Sequence, residues 1–427
     1  MDSRVFWLAL AAFVGAIEGG TIAGLLPLIS ADFGVSLGQT GLLVLGYSLA
    51  YAVGPPLVAV LLGGVGRRRI LAGSEFGLAV CALLMAIVPV FEGVVVIRTV
   101  LAVAAGTFTG TAMATAAMLA PPGQRGRYMQ VISLGQAMAA LAGVPLGAWL
   151  AATFGWRIDY YALAAMAGLA ALALYTQLPR GMPGDSQTMR DRVRVLRNKG
   201  VGGALLATLL FMMGSAPIIV YVGAVLEALG LGYELLPLVL LAGGIGAVAC
   251  GTMAGRLADR VGSVRTGLFA GTAVLGVLAA YLLLPLLPEP LRLPGLLLVT
   301  GVQGFVGRTY TIAVTSHMAH LVPTAVPVAI SLNMSTFSIG MAVAAAVGGI
   351  VVDLWGALLL PAIGVPLVLA SLLVWRRVPE EELLPVGGAI YSAPGDGNPG
   401  SAAQGTVPRQ AHAMEAKERG PSGLPPS

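Results

Sequence analysis

The sequence predicts an all-α integral membrane protein, with twelve transmembrane helices in two pseudo-symmetric six-helix bundles. Three observations carry that expectation. Of 427 residues, 57% are hydrophobic and only 10% are charged, whereas a soluble domain is about 25% charged; this chain cannot cover a surface facing water. From Arg4 to Arg377 it reads as apolar blocks separated by short polar stretches, and each span needs about 20 such residues. The Lys and Arg residues behind the net charge of +5 gather in every second loop, a mark of membrane topology and not of a nucleic-acid surface.

The blocks place spans at 5–28, 42–63, 70–90, 94–119, 128–152, 157–178, 202–226, 233–256, 264–287, 293–318, 325–350 and 355–376. Arg4 before an apolar run imitates a secretory signal, but the run continues through Glu18 to Leu28. That is too long for a signal core, so it reads as a retained first span. Arg67, Arg68 and Arg69 follow span two, Arg125 and Arg127 follow span four, and Arg180 to Lys199 follow span six. The opposite loops hold Asp32, Glu92, Glu227, Glu234, Glu289 and Asp353, with Arg157 and Arg292 as exceptions. The positive-inside rule then puts both termini in the cytoplasm of a cell (inner) membrane. Trp7, Trp375, Trp156 and Trp355 fall at span ends, where interfacial indoles belong.

A polar, basic segment divides the chain into bundles 1–178 and 201–377, with a cytoplasmic central loop at 179–200. Residues 378–427 are rich in Gly, Pro, Ala and Ser and read as a disordered cytoplasmic tail. Cys81 and Cys250 lie inside apolar blocks and read as small buried hydrophobes, not a disulfide. The three His residues are too scattered for a metal site. No metal and no cofactor are expected.

The halves repeat a short feature. Leu61-Leu-Gly-Gly-Val-Gly-Arg67-Arg68 follows span two, and Gly255-Arg-Leu-Ala-Asp-Arg260-Val-Gly262 follows span eight. Matched turns in parallel halves suit a transporter that rocks two bundles about a site at the midplane. The second copy resembles the G-x-L-A-D-R-x-G signature of the major facilitator superfamily. In the first copy Gly63 stands at the acidic position and Ala59 at the first Gly. Span one, from Gly15-Ala-Ile-Glu18 to Gly24-Leu-Leu-Pro27, with Ala31 to Ser36 and Tyr47, resembles the drug:proton antiporter and arabinose-efflux-like branch. Ala142-Gly-Val-Pro-Leu-Gly147 with Phe154-Gly-Trp-Arg157 resembles its antiporter motif, and Arg98 with Gly106 and Gly110 its arginine motif. Span eleven, with Ser331-Leu-Asn333, Gly340, Gly348 and Gly349, fits as well.

Glu18 is the sharpest single residue. An ionised carboxylate in hydrocarbon is costly, so it must face a cavity, find a partner or hold a proton. It is expected to be a proton site, against a purely structural acid among packing glycines. Arg98 either snorkels to the interface or, as the resemblance implies, takes part in proton coupling by acting on a nearby carboxyl. Arg308, mid-span in span ten, is expected in the cavity, binding an anionic group or pairing with Glu18. Tyr221, Gln136, Gln303 and Asn333 are further candidates for substrate contact. Thr107, Thr111 and Thr115 are expected to bond their own backbone. The resemblance implies a cytoplasmic gate at Gly66, Arg67, Gly255, Asp259, Arg260 and Gly262. Glu75, early in span three near Arg67 to Arg69, is placed to supply a charge for the acid missing at Gly63. Gly143, Pro145 and Gly147 are expected to let helices approach and to bend span five.

Together these readings lead to proton-coupled efflux (antiport) of a small apolar or amphipathic molecule by alternating access, a drug-resistance activity, in a monomer with no nucleic-acid partner. Proton-symport uptake of a sugar-like solute is the alternative, and a non-transporting membrane sensor comes after it. No arrangement of His, Asp or Glu suggests an enzyme.

Overall fold

A computed structural model describes residues 3–121, 123–184, 195, 199–323 and 325–379, with the backbone alone described at Ser3, Thr252, Gly255, Asp259 and Pro327. Nearly all of the tail at 378–427 and most of the central loop lie outside the described residues.

Each described regular element is a helix. In order they are α1 (Ser3–Phe33), α2 (Leu37–Leu61), α3 (Arg67–Ile87), α4 (Phe91–Leu119), α5 (Arg125–Met138), a π turn (Ala139–Gly143), α6 (Val144–Phe154) and α7 (Trp156–Gln177). Then follow α8 (Lys199–Val220), α9 (Val222–Ala228), α10 (Leu236–Val261), α11 (Ser263–Leu283), α12 (Glu289–Leu321), α13 (Val326–Trp355) and α14 (Leu360–Trp375). Eleven stretches among the described residues are long and apolar enough to cross a membrane, with α5, the π turn and α6 forming one of them. The twelfth span is α12, which has the length at 33 residues but is more polar than the rest.

The sequence repeat reappears as a repeat of packing. In the first half α2 packs on α4, α3 on α4 and α7, and α1 on α5 and α7. In the second half α10 packs on α12, α11 on α12 and α14, and α8 on α13 and α14. The turn before α7 and the one before α14 even share a backbone: Gly155 has φ 90° and Gly356 φ 88°, a conformation open to glycine at little cost. Each follows the last residue of one span and starts the return crossing within a few residues.

Both basic exceptions to the loop pattern have local partners. Arg157 forms an ion pair with Asp32 at the surface. The Arg292 guanidinium donates to the carbonyl of Leu229 at 3.0 Å, just past the last turn of α9, where a cation suits the exposed carbonyls. Two of the indoles expected at an interface are instead buried. Trp375 is fully enclosed and donates to the Val264 carbonyl at 3.0 Å, and Trp156 donates to Asp32 at 3.2 Å. Their N–H groups found protein acceptors, and that satisfies a buried indole as well as an interface does. Cys81 and Cys250 are both free thiols.

The halves are tied together where α2 begins and α13 ends, the end bearing the acidic loops. Ser36 opens α2 with a capping box closed by Gln39, and its hydroxyl also donates to Asp353 at 2.6 Å. The Gly38 amide donates to the other Asp353 oxygen at 2.8 Å. Gly41 leaves room for the Tyr221 hydroxyl, which donates to the Ala345 carbonyl at 2.8 Å. Tyr233 donates to the Gly24 carbonyl. Removing the Asp353 carboxylate by Asp353→Ala is expected to loosen this end, because charge-assisted bonds contribute about 1.5–3 kcal/mol each and somewhat less when exposed. In a cysteine-free background carrying Met341→Cys, labelling by a water-soluble maleimide from the acidic side is expected to speed up several-fold. An unchanged rate would mean that Asp353 does not hold the end shut.

Candidate functional site

Four helices of the first half converge on one ion pair. Glu18, from α1, and Arg98, from α4, are each 1% exposed, and Nη1 of Arg98 donates to Oε1 of Glu18 at 2.6 Å. The same nitrogen donates to the Tyr160 hydroxyl of α7 at 2.6 Å. Tyr47 of α2 lays its ring 4.7 Å from the guanidinium carbon, a cation–π distance. Snorkelling is therefore excluded for Arg98: the side chain turns inward, where a carboxylate and two phenols compensate a charge that hydrocarbon would penalise. The pairing expected between Glu18 and Arg308 is likewise replaced by Glu18 with Arg98.

The site remains under-bonded. Oε2 of Glu18, Nε and Nη2 of Arg98, and Oδ2 of Asp159 are all buried without a hydrogen-bond partner. Orphaned polar atoms are rare in folded proteins, and four of those among the described residues belong to this group. Sequence reasoning missed Asp159, Tyr160 and Tyr47 as members. An acid inside an apolar block is the signal that could have found Asp159, near the start of span six.

Arg98 of this pair borders a cavity of about 430 Å³. Gly15, Gly19 and Gly20 of α1, Tyr47, Ser48 and Tyr51 of α2, and Arg98, Ala105 and Thr109 of α4 line one side. Ile219 and Val220 of α8 and Met334, Phe337, Ser338 and Met341 of α13 line the other, so both halves contribute. Arg98 is the charged residue in a wall that is otherwise largely apolar. Glycines along α1 make this room; Gly15 has open space where a side chain would stand.

The remaining candidates are spread out. Gln136, on α5, lines the cavity. Tyr221 belongs to the closed acidic end. Gln303 accepts from Tyr281 at 2.8 Å and donates to the Ser215 carbonyl at 3.3 Å, and Asn333 accepts from Thr208 at 3.0 Å; both are buried inside the second half. Arg308 is exposed on α12, outside the residues lining this cavity. Thr107 and Thr115 bond the carbonyls four residues back, each at 2.7 Å.

At the basic end, Gly66 precedes α3, and Nε of Arg67 donates to the Pro183 carbonyl at 2.9 Å. Gly262, with φ 91°, hands α10 over to α11, and Arg260 is exposed. Gly255 and Asp259 lie in α10, where only their backbone is described. Glu75 is fully buried, and neither carboxylate oxygen accepts a hydrogen bond, so it is not a partner of Arg67, Arg68 or Arg69. Its place on the buried face of α3 turns it away from the loop that the sequence suggested.

The bend of span five takes the form of a π turn over Ala139–Gly143, immediately before Pro145. Pro145 has no N–H to offer the carbonyl four residues back, and the wider turn accommodates the interruption. Such turns recur at functional sites. Gly143 lies against Ile17 of α1, Gly20 against Val144, and Gly244 of α10 against Ala140. The bend is thus a point where α1, span five and the second half approach closely. Among the described residues no group of three or more His, Cys, Asp or Glu is placed to hold a metal.

Comparison with known proteins agrees with this architecture. The solved structure of a mutant of the nucleoside transporter NupG superposes with a TM-score of 0.73, covering 88% of this chain and 99% of that one at 14% identity. Inner membrane transport protein YdhP of Escherichia coli (strain K12) is 29% identical over 364 residues, 82% of this chain and 90% of its own. A chloramphenicol resistance protein of Streptomyces lividans is 32% identical over 265 residues, 61% of this chain and 68% of its own. The sequence model of the Major Facilitator Superfamily matches residues 8–291 and 204–393. The chain belongs to the Major Facilitator Superfamily and is a multi-pass membrane transporter, not an enzyme.

Proposed function

We propose that this transporter is a proton-coupled exporter of small apolar or amphipathic molecules, working as a monomer in the cell membrane with both termini in the cytoplasm. The observation that carries the reading is the buried Glu18–Arg98 pair, whose Arg98 forms part of the wall of a largely apolar cavity lined from both halves. A guanidinium does not release its proton, so Glu18 is the member that exchanges one. When it does, Arg98 loses its counter-charge and the pair must rearrange, which supplies the link between proton and cavity. The apolar wall favours a substrate held by burial, and the likeness to a chloramphenicol resistance protein points the same way.

On this reading the two halves meet across the bend at Gly143, Pro145 and Gly147, and the closed acidic end faces outward. The cavity then loads from the cytoplasm, as an exporter requires. The divided chain, 1–178 and 201–377 with a basic loop between, supplies the two rocking bodies. Gly66, Arg67, Gly255, Asp259, Arg260 and Gly262 form the opposing gate, which closes once the acidic end opens.

The test is transport by purified protein in liposomes of defined orientation, with a panel of fluorescent lipophilic compounds and an imposed pH gradient. A compound should leave its compartment against the inward flow of protons, and its addition should dissipate the gradient. Solute and protons moving in the same direction would establish the uptake reading instead. A panel that moves no protons in either direction would sink the proton-coupled reading.

A further inference from the structure

We infer that Asp159 is a second proton-binding carboxyl of the Glu18–Arg98 site, and that Gly147 keeps open the place it occupies. The inference rests on the reading that Glu18 exchanges a proton. Asp159 is 2% exposed and its Oδ2 has no hydrogen-bond partner, the condition of a carboxyl that is costly to leave charged. Its neighbour in sequence, Tyr160, holds Arg98 at 2.6 Å. The charged groups that act on Asp159 are Glu18 from α1 and Arg98 from α4.

Its other oxygen rests on the span-five motif. A methyl group at Gly147 would stand 2.7 Å from Oδ1 of Asp159 and 3.1 Å from Oγ1 of Thr21. Thr21 lies three residues after Glu18, on the same face of α1. A side chain at 147 would therefore push into the gap between Asp159 and the helix that carries Glu18. Asp159 also stands in the first turn of α7, two residues past Arg157, which is surface-exposed in its pair with Asp32. It is the buried carboxyl of this site placed toward the water at the acidic end.

The sequence of proton steps follows. A proton from water at the acidic end adds to the Asp159 carboxylate. It then passes to the Glu18 carboxylate, which becomes neutral and releases Arg98. Asp159, a carboxylate again, takes over as counter-charge, and Arg98 keeps its proton throughout. The transfer leaves the net charge of the site unchanged, so its cost in a low-dielectric interior is small.

Infrared difference spectroscopy of the protein in liposomes, acid minus alkaline, reads protonated carboxyls directly and needs no transported compound. Asp159→Asn is expected to remove one carbonyl component that Glu18→Gln and Glu75→Gln each leave in place, and Asp159→Glu to restore one. Gly147→Ala is expected to shift that component and leave the Glu18 component intact. An Asp159→Asn spectrum superimposable on the wild type would overturn the inference, whatever the fate of Glu18. A Glu18→Gln spectrum equal to the wild type would instead remove the proton-coupled reading itself. Thermal melts of each variant establish that the spectra come from folded protein.

Discussion

Glu18→Gln is expected to abolish proton-driven transport while leaving the protein folded and able to exchange its substrate. Glutamine keeps the shape of the side chain and an oxygen that can accept from Arg98, now 2.6 Å from Oε1 of Glu18. It has no proton to exchange. The variant therefore resembles a site held permanently in its neutral form, and the gradient has no means of driving the cycle. Counterflow, in which labelled and unlabelled compound trade places with no net proton movement, demands only that the cavity open to each side in turn. The expected pattern is gradient-driven efflux at background with counterflow near wild type. Loss of both activities would point to a structural role for Glu18, and retention of both would mean that the proton travels elsewhere.

The second large effect is on stability. Arg98→Ala removes a 1% exposed side chain that bonds Glu18 and Tyr160 and lies over the Tyr47 ring. Stripping one partner from a buried ion pair leaves an uncompensated group and is strongly destabilising, by about 3–5 kcal/mol. The purified variant should melt well below wild type in detergent. The double variant Glu18→Leu with Arg98→Met should recover much of the loss, since replacing a whole buried pair by apolar groups is often neutral or better. It should remain inactive in gradient-driven transport. That combination, non-additive in stability and null in function, separates a pair kept for transport from one kept for folding. Equal and additive losses from both single variants would argue that Glu18 and Arg98 are not coupled.

Most of the fold was legible because its signal is local and large. Spans of about 20 apolar residues and alternating loop charge are read one segment at a time, and the twelve spans appear in order. The turn at Gly262 and the bend before Pro145 were equally visible, since glycine and proline act on their own backbone. Glu18 stood out because a carboxylate among Gly15, Gly19 and Gly20 contradicts its surroundings. Its partner did not. The sequence leaves Arg98 open to snorkelling and puts Arg308, mid-span, in the cavity, and nothing local says that the first turns into the bundle while the second is exposed on α12.

The same limit explains Gln303, Asn333 and Tyr221. Each is a polar residue in a span, as a substrate contact would be, yet each has its bonds taken up by protein groups in the second half or at the closed end. Asp159 goes unremarked inside span six, and only the approach of α7 to α1 and the reach of Arg98 from α4 to Tyr160 make it a member of the site.

What the sequence determined by itself was the solvent of the chain, the number of its crossings and the repeat of its halves, because hydrophobic length and loop charge are properties of single segments. Only the tertiary structure decided which charges meet. A side chain's partner depends on helix rotation and crossing, and these are set by the small residues where helices touch, such as Gly20 against Val144, Gly143 against Ile17 and Gly147 against Asp159. In a low-dielectric interior, a rotation that brings two opposite charges within 2.6 Å replaces the prohibitive cost of two isolated charges by a buried ion pair.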